Sequence, residues 1–228
     1  MDVWVVEWAA FDAGSLLRHL SDEERVRAER VLPESSQSHV VIARALLRCV
    51  IARELDCEPA DLGFVRTPQG KPKLQSPANG TDLQFSVSHA HRFGLIGLAR
   101  GTPLGVDVES RRPERPVGRL AGRFFTDREA TGLRSLSERS RHDAFLTIWT
   151  AKEAVIKAQG EMVPRALQNH ELALLDDGSI SLMRIHGDAE RAAYWRLDTV
   201  RLGTDHMAAV AVEDPQAEIR WQRLSNLP

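Results

Sequence analysis

GVDVES at residues 105–110 reads as a strand, and WTAKEAVIKAQG at 149–160 as the end of a helix. On a strand, positions i and i+2 share a face, so Asp107 and Glu109 project together while Val106 and Val108 pack behind. On a helix, residues four apart are neighbours, so Glu153 and Lys157 stand on one face. Phe145, Ile148, Trp149, Val155 and Ile156 are too bulky for a freely solvated helix. They predict a largely buried helix over His142–Gln159, with Gly160 as its left-handed cap. A buried helix that carries Lys152, Glu153 and Lys157 must aim them at something polar.

Outward from these two segments, Val3–Trp8, Asp61–Arg66, Leu83–Ser88 and Phe93–Ala99 read as further strands. Ser21 and Glu24 form a capping-box signal for a charged helix to about Arg30. Ser38 is placed to cap a helix over His39–Leu55, with Val41, Ala45, Leu46, Val50 and Ile51 at helical spacing. Gln69-Gly70 and Lys71-Pro72 mark a turn, and SPANGTD at 76–82 a loop. Arg111, Arg112, Arg115, Arg119 and Arg123 crowd one stretch with Pro113 and Pro116, which reads as a solvated strip. Asp127 and Glu129 open a short helical segment. Glu171–Val212 reads as strands separated by turns such as Asp176-Asp177-Gly178.

Each half of the chain has a long helix, then strands, then a small-residue final strand: FGLIGLA at 93–99 and MAAVAV at 207–212. This echo predicts an α+β fold of two similar halves, 1–102 and 103–228, each a helix packed on a small, mostly antiparallel sheet. The hinge falls near Gly101–Pro103, and a ligand cleft is expected between the halves.

The 228 residues hold 30 basic and 32 acidic side chains, a net charge of −2. Neither half is a basic module, which excludes nucleic-acid binding by net charge. Cys49 and Cys57 make neither a disulfide framework nor a thiolate cage, as suits a reducing, cytoplasmic setting. Asp2 and Glu7 interrupt the apolar start, so no signal peptide is read there, and no apolar run is long enough to span a bilayer. Of the basic residues 26 are Arg and 4 are Lys, and the lysines form two pairs, Lys71/Lys73 and Lys152/Lys157.

Two adjacent carboxylates repel unless a cation lies between them, and hard oxygen ligands suit Mg²⁺. A solvated strand face is the plainer reading of Asp107 and Glu109, as a surface ion pair is of Glu153 and Lys157. Ser88 and His89 are read as donors for an anion, or His89 as satisfied by a backbone carbonyl. His89 and His91 lack a further ligand at zinc spacing. Lys71 is presented from the turn, while Arg27, Arg30, Arg44 and Arg48 are cationic surface positions. Taken together, these residues describe Mg²⁺-assisted phosphoryl-type transfer.

The order GKP (70–72), FSVSH (85–89), GVDVE (105–109) and WTAKEAVIK (149–157) resembles the 4′-phosphopantetheinyl transferases, in particular the larger, surfactin-synthetase-activating branch with two similar halves in one chain. The resemblance weakens after about residue 165. It implies transfer of 4′-phosphopantetheine from coenzyme A to a serine of an apo acyl, polyketide or peptidyl carrier protein, releasing adenosine 3′,5′-bisphosphate. By that resemblance Asp107, Glu109 and Glu153 hold Mg²⁺, with Mn²⁺ the alternative. Glu153 is the general base for the carrier serine, directly or through water, and Lys157 neutralises or protonates the leaving phosphate. Ser88 and His89 contact the coenzyme A phosphates, and Lys71, Arg44 and Arg27 lie around the adenine and 3′-phosphate. The enzyme is expected to be a cytoplasmic monomer without membrane or nucleic-acid partners.

The chain departs from the family in carrying Ala90 where Ser is frequent, His39 where Arg is frequent, and Glu24 in place of a lysine cluster. These changes bear on coenzyme A affinity rather than on the chemistry. A metal-dependent phosphohydrolase using the same carboxylates is the competing enzyme reading. A non-catalytic coenzyme A or carrier-binding module would have lost Glu153 or Lys157, and both are present.

Overall fold

Alternating apolar positions make Asp2–Glu7 the first strand, β1, with Val3, Val5 and Val6 buried. The structure, a computed structural model, describes residues 1–30, 34–75, 82–161, 166–175 and 177–227. Helices α1 (Ala13–Leu16), α2 (Asp22–Ala28) and α3 (Glu34–Leu55) follow β1. The hairpin β2 (Phe64–Arg66) and β3 (Pro72–Leu74) leads to β4 (Leu83–Ala90) and β5 (Phe93–Arg100). The plan then repeats with β6 (Leu104–Ser110), helices α4 (Val117–Phe124), α5 (Asp127–Arg134) and α6 (Glu138–Gln159), and the hairpin β7 (His170–Leu174) and β8 (Ile180–Ile185). One helical turn, α7 (Ala189–Ala192), precedes β9 (Arg196–Leu202) and β10 (His206–Val212), and β11 (Arg220–Leu224) follows.

The two sheets run β11-β1-β5-β4 and β6-β10-β9. Without β11, both read first strand, third strand, second strand, and every pairing is antiparallel. That shared connectivity bears out the expectation of two similar α+β halves. The last strand, β11, pairs in parallel with β1, and Arg220 forms an ion pair with Asp2 at 2.8 Å. Segment 213–227 therefore returns to the edge of the first sheet.

Each half has a 22-residue helix against its sheet. Helix α3 buries Val41, Ile42, Ala45, Leu46, Val50 and Ile51 against the first sheet. It begins at Glu34, so Ser38 lies inside the helix rather than capping it. Helix α6 likewise starts earlier than expected, at Glu138 with Ser137 as its cap, and ends on Gly160 at φ 71°. The arginine stretch contains a helix that the sequence did not suggest: α4 buries Val117 and Ala121, four residues apart. Strand β2 is only Phe64–Arg66, because Pro59–Asp61 forms a 3₁₀ turn. The expected 76–82 loop lies, but for Asp82, outside the described residues.

A third apolar cluster lies between the sheets and contains Val3, Val5, Leu95, Val106, Val108 and Val210. Strands β4 and β6 run side by side without a backbone ladder. Ser86 Oγ accepts from Val106 N at 3.0 Å, and Ser88 Oγ accepts from Val108 N at 3.3 Å. Among the described residues, no helix is long and apolar enough to cross a membrane.

Candidate active site

With Val106 and Val108 in the core, Asp107 and Glu109 take the opposite face of β6. Helix α6 lies directly on that strand at Gly105. A Cβ there would sit 2.0 Å from Ala154 O and 2.5 Å from Ala158 N, so only glycine lets the helix come this close. The contact brings Glu153 and Lys157 over β6. One oxygen each of Asp107, Glu109 and Glu153 lies within 4.8 Å of the others. Among the described residues this is the one group of carboxylate, thiolate or imidazole side chains spaced to share an ion, and His89 and His91 form no such group.

Asp107 is 2% exposed. Its Oδ1 accepts from Lys157 Nζ at 2.5 Å and from Ser88 Oγ at 2.7 Å. Its Oδ2 is buried without a partner. Lys157 also donates to Ser88 Oγ at 3.0 Å, so its salt bridge is to Asp107 and not to Glu153, the helix neighbour expected from spacing. Arg115, from the arginine stretch, reaches Glu109 at 3.2 Å. Burial, and then the charge of Asp107, push Glu153 up to about 7; Glu109 adds to this and Lys157 opposes it. Burial followed by Asp107 also raises Glu109, against the pull of Arg115. A buried Asp107 carboxylate with one orphaned oxygen, grouped with two carboxyl groups that it repels, fits a hard divalent cation, which would supply the missing partner and relieve the repulsion.

The cleft beside this cluster is lined from both halves. A cavity of about 620 Å³ is bounded by Thr67, Gln69, Lys71 and Lys73 on one side and by Gln159 and Asn169 on the other. A smaller one of about 230 Å³ adjoins it and reaches Phe85, Ser86 and Lys157. Lys71 lines both and donates to Ala158 O at 3.0 Å and Leu104 O at 3.3 Å. Burial, with some help from Lys73, brings its ammonium down to about 8. His89 is exposed at the end of β4. His39 stacks on Trp8 at 5.3 Å, and burial, then His89 and His91, hold it below the usual histidine range.

The remaining expected cations have other partners. Arg27 is largely exposed and pairs with Glu23 at 2.8 Å. Arg44 bonds to Glu24 and lies 4.0 Å over the Phe64 ring. Arg48, expected on the surface, is 2% exposed; it bonds to Glu24 at 2.6 Å and to Pro59 O at 2.6 Å. Lys152 is not at the cleft: it is fully buried against Glu129 at 2.6 Å. The sequence did not point to Arg115, which lies six residues beyond Glu109, because nothing local distinguishes it from its neighbouring arginines.

Residues 103–211 match the 4′-phosphopantetheinyl transferase superfamily, and residues 7–99 match the family described as 4′-phosphopantetheinyl transferase, N-terminal. A Synechocystis sp. protein named as a 4′-phosphopantetheinyl transferase is 34% identical over 186 residues, 82% of this chain and 74% of that protein. The chain belongs to the 4′-phosphopantetheinyl transferase superfamily. It is an enzyme of that class, and the phosphohydrolase reading finds no support among these relatives. The 4′-phosphopantetheinyl transferase HetI of Nostoc sp. is 31% identical over 203 residues, 89% of this chain and 81% of that one. Among solved structures, a Bacillus anthracis holo-(acyl-carrier-protein) synthase in complex with CoA (3′,5′-ADP) aligns with a TM-score of 0.41 at 19% identity, over 48% of this chain and 93% of that chain.

Proposed function

We propose that this phosphopantetheinyl transferase takes the 4′-phosphopantetheine group from coenzyme A to a serine hydroxyl of an apo carrier protein, with Mg²⁺ or Mn²⁺ held by Asp107, Glu109 and Glu153. The serine oxygen forms a bond to the phosphorus next to pantetheine. The diphosphate P–O bond breaks, and adenosine 3′,5′-bisphosphate leaves. The observation that carries this reading is the orphaned Asp107 oxygen among three carboxyl groups, beside Lys157 and a two-sided cleft. The cation, when bound, would offset charge on the diphosphate.

The chain's own groups supply the rest. A serine hydroxyl is a weak nucleophile at neutral pH, so Glu153 accepts its proton. Lys157 directs its ammonium at the leaving phosphate. Ser88 and His89 contact the phosphates. Lys71 serves the nucleotide end, a role supported by its lining both cavities. Arg44, which shares Glu24 with Arg48, adds net positive charge toward the 3′-phosphate, and Arg27 joins it by exchanging its exposed partner Glu23 for the phosphate. In this division the first half (1–102) reads the nucleotide and the second (103–228) holds the metal and reacting groups. The cleft is built from one chain, so a cytoplasmic monomer suffices.

The test mixes the enzyme, coenzyme A, Mg²⁺ and an apo carrier. The intact mass of the carrier should rise by one phosphopantetheine, and omitting Mg²⁺ should prevent it. Glu153→Ala should abolish transfer with an unchanged circular dichroism spectrum. Wild-type turnover in that variant would refute both roles given to Glu153.

A further inference from the structure

Lys152 precedes Glu153 in the chain, yet it points away from the cleft. Its ammonium donates to Glu129 Oε2 at 2.6 Å and to Leu167 O at 2.8 Å, and lies 4.8 Å over the Phe125 ring. Glu129 in turn accepts from Thr126 N at 2.8 Å and Leu172 N at 2.7 Å. One knot therefore ties α6 to the start of α5, to the turn at Leu167 and to β7. Both side chains are essentially inaccessible, 0% and 1% exposed.

Such a pair is poor value as a stabiliser, because taking two charges out of water offsets most of their attraction. Its distinguishing property is direction. Neighbouring helix positions point about 100° apart, so fixing Lys152 inward dictates where Glu153 points. We infer that Lys152 is a positioning residue: its buried bonds to Glu129 and to the Leu167 carbonyl set the rotation of α6 about its axis, and so aim Glu153 at Asp107 and Glu109. Gly105 sets how close the helix lies, and Lys152 sets how it is turned. A carboxylate about 6 Å from the axis moves about 1 Å for a rotation of about 10°. Apolar contacts alone tolerate a repacking of that size.

The inference rests on the metal and base roles proposed for Glu153, and its test separates the two. In the double variant Lys152→Met with Glu129→Gln, the charges go while Gln keeps an acceptor for Leu172 N. Two quantities are read in the full-length protein: Mn²⁺ affinity of the enzyme without coenzyme A, by calorimetry, and kcat against KM for the carrier. The expected result is a cooperatively folded variant whose Mn²⁺ affinity falls about tenfold. Its kcat should fall about 100-fold while KM for the carrier stays within about twofold. A folded double variant with wild-type Mn²⁺ affinity and kcat overturns the inference. If the double variant does not fold, Glu129→Gln alone is read in the same way, and wild-type values there overturn it equally. If the wild-type enzyme binds no Mn²⁺, the metal reading fails, and the kcat comparison still decides the role of Lys152.

Discussion

Gly105→Ala is the sharpest perturbation of the site that removes no reacting group. The new Cβ would meet Ala154 O at 2.0 Å and Ala158 N at 2.5 Å, both main-chain atoms of α6. Backbone in mid-helix cannot swing aside as a side-chain end can. The helix must retreat from β6 by more than about 1 Å to restore ordinary contact. Glu153 and Lys157 travel with it, and both work against Asp107 on β6. Overpacking of this kind destabilises by about 1–3 kcal/mol. A misplacement of about 1 Å at reacting groups lowers turnover about 100-fold. The assay is the initial rate of carrier modification, by intact mass, alongside urea unfolding. Gly118→Ala is the control: it lies on exposed α4, a Cβ there meets nothing within 4 Å, and it should be neutral or slightly stabilising. If Gly105→Ala turned over at the wild-type rate with wild-type stability, the claim that strand–helix proximity builds the site would be wrong.

Two other consequences can be measured directly. Burial holds Lys71 down to about 8, so its positive charge is lost as pH rises through that value. Coenzyme A affinity, by calorimetry from about pH 7 to about pH 9, should weaken in the wild type and stay flatter in Lys71→Met; parallel profiles would remove Lys71 from the nucleotide site. Because an unfolded lysine keeps its proton to about 10.5, the unfolded chain binds more protons between the two values, and stability should climb with pH there, less so in Lys71→Met. Arg48→Ala should cost about 3 kcal/mol in urea unfolding, since it strips a buried partner from Glu24. Arg27→Ala, which breaks only an exposed pair with Glu23, should stay within about 0.5 kcal/mol; equal effects would contradict the contrast in burial.

The reacting groups were legible because each sits on a regular element with a clear period. Period 2 at 105–109 separated Asp107 and Glu109 from Val106 and Val108, and the 3.6-residue period with Gly160 fixed the end of α6. The repeat of the fold could also be read, since both halves close on strands of small apolar residues. Partnerships made across the chain were not legible. Lys152 shares its sequence segment with Lys157, while its partner Glu129 stands 23 residues away on another helix. Arg48 looked like a surface cation because nothing local announces Glu24. Helix α4 was hidden by arginine, glycine and proline, with only Val117 and Ala121 buried to mark its inner face. The place of β11 at the far edge of the first sheet depends on a parallel pairing that no local pattern encodes.

The seam between β4 and β6 is where the two halves meet without sharing a sheet. Val106 N and Val108 N are met there by the hydroxyls of Ser86 and Ser88 rather than by main-chain carbonyls. A third side-chain bond crosses there, from Ser88 Oγ to Asp107 Oδ1, beside the apolar cluster that holds Val106 and Val108, and none of these contacts is a rung of either sheet. Each half therefore keeps a complete ladder of its own, and along this line the two are joined by side chains rather than by a shared sheet.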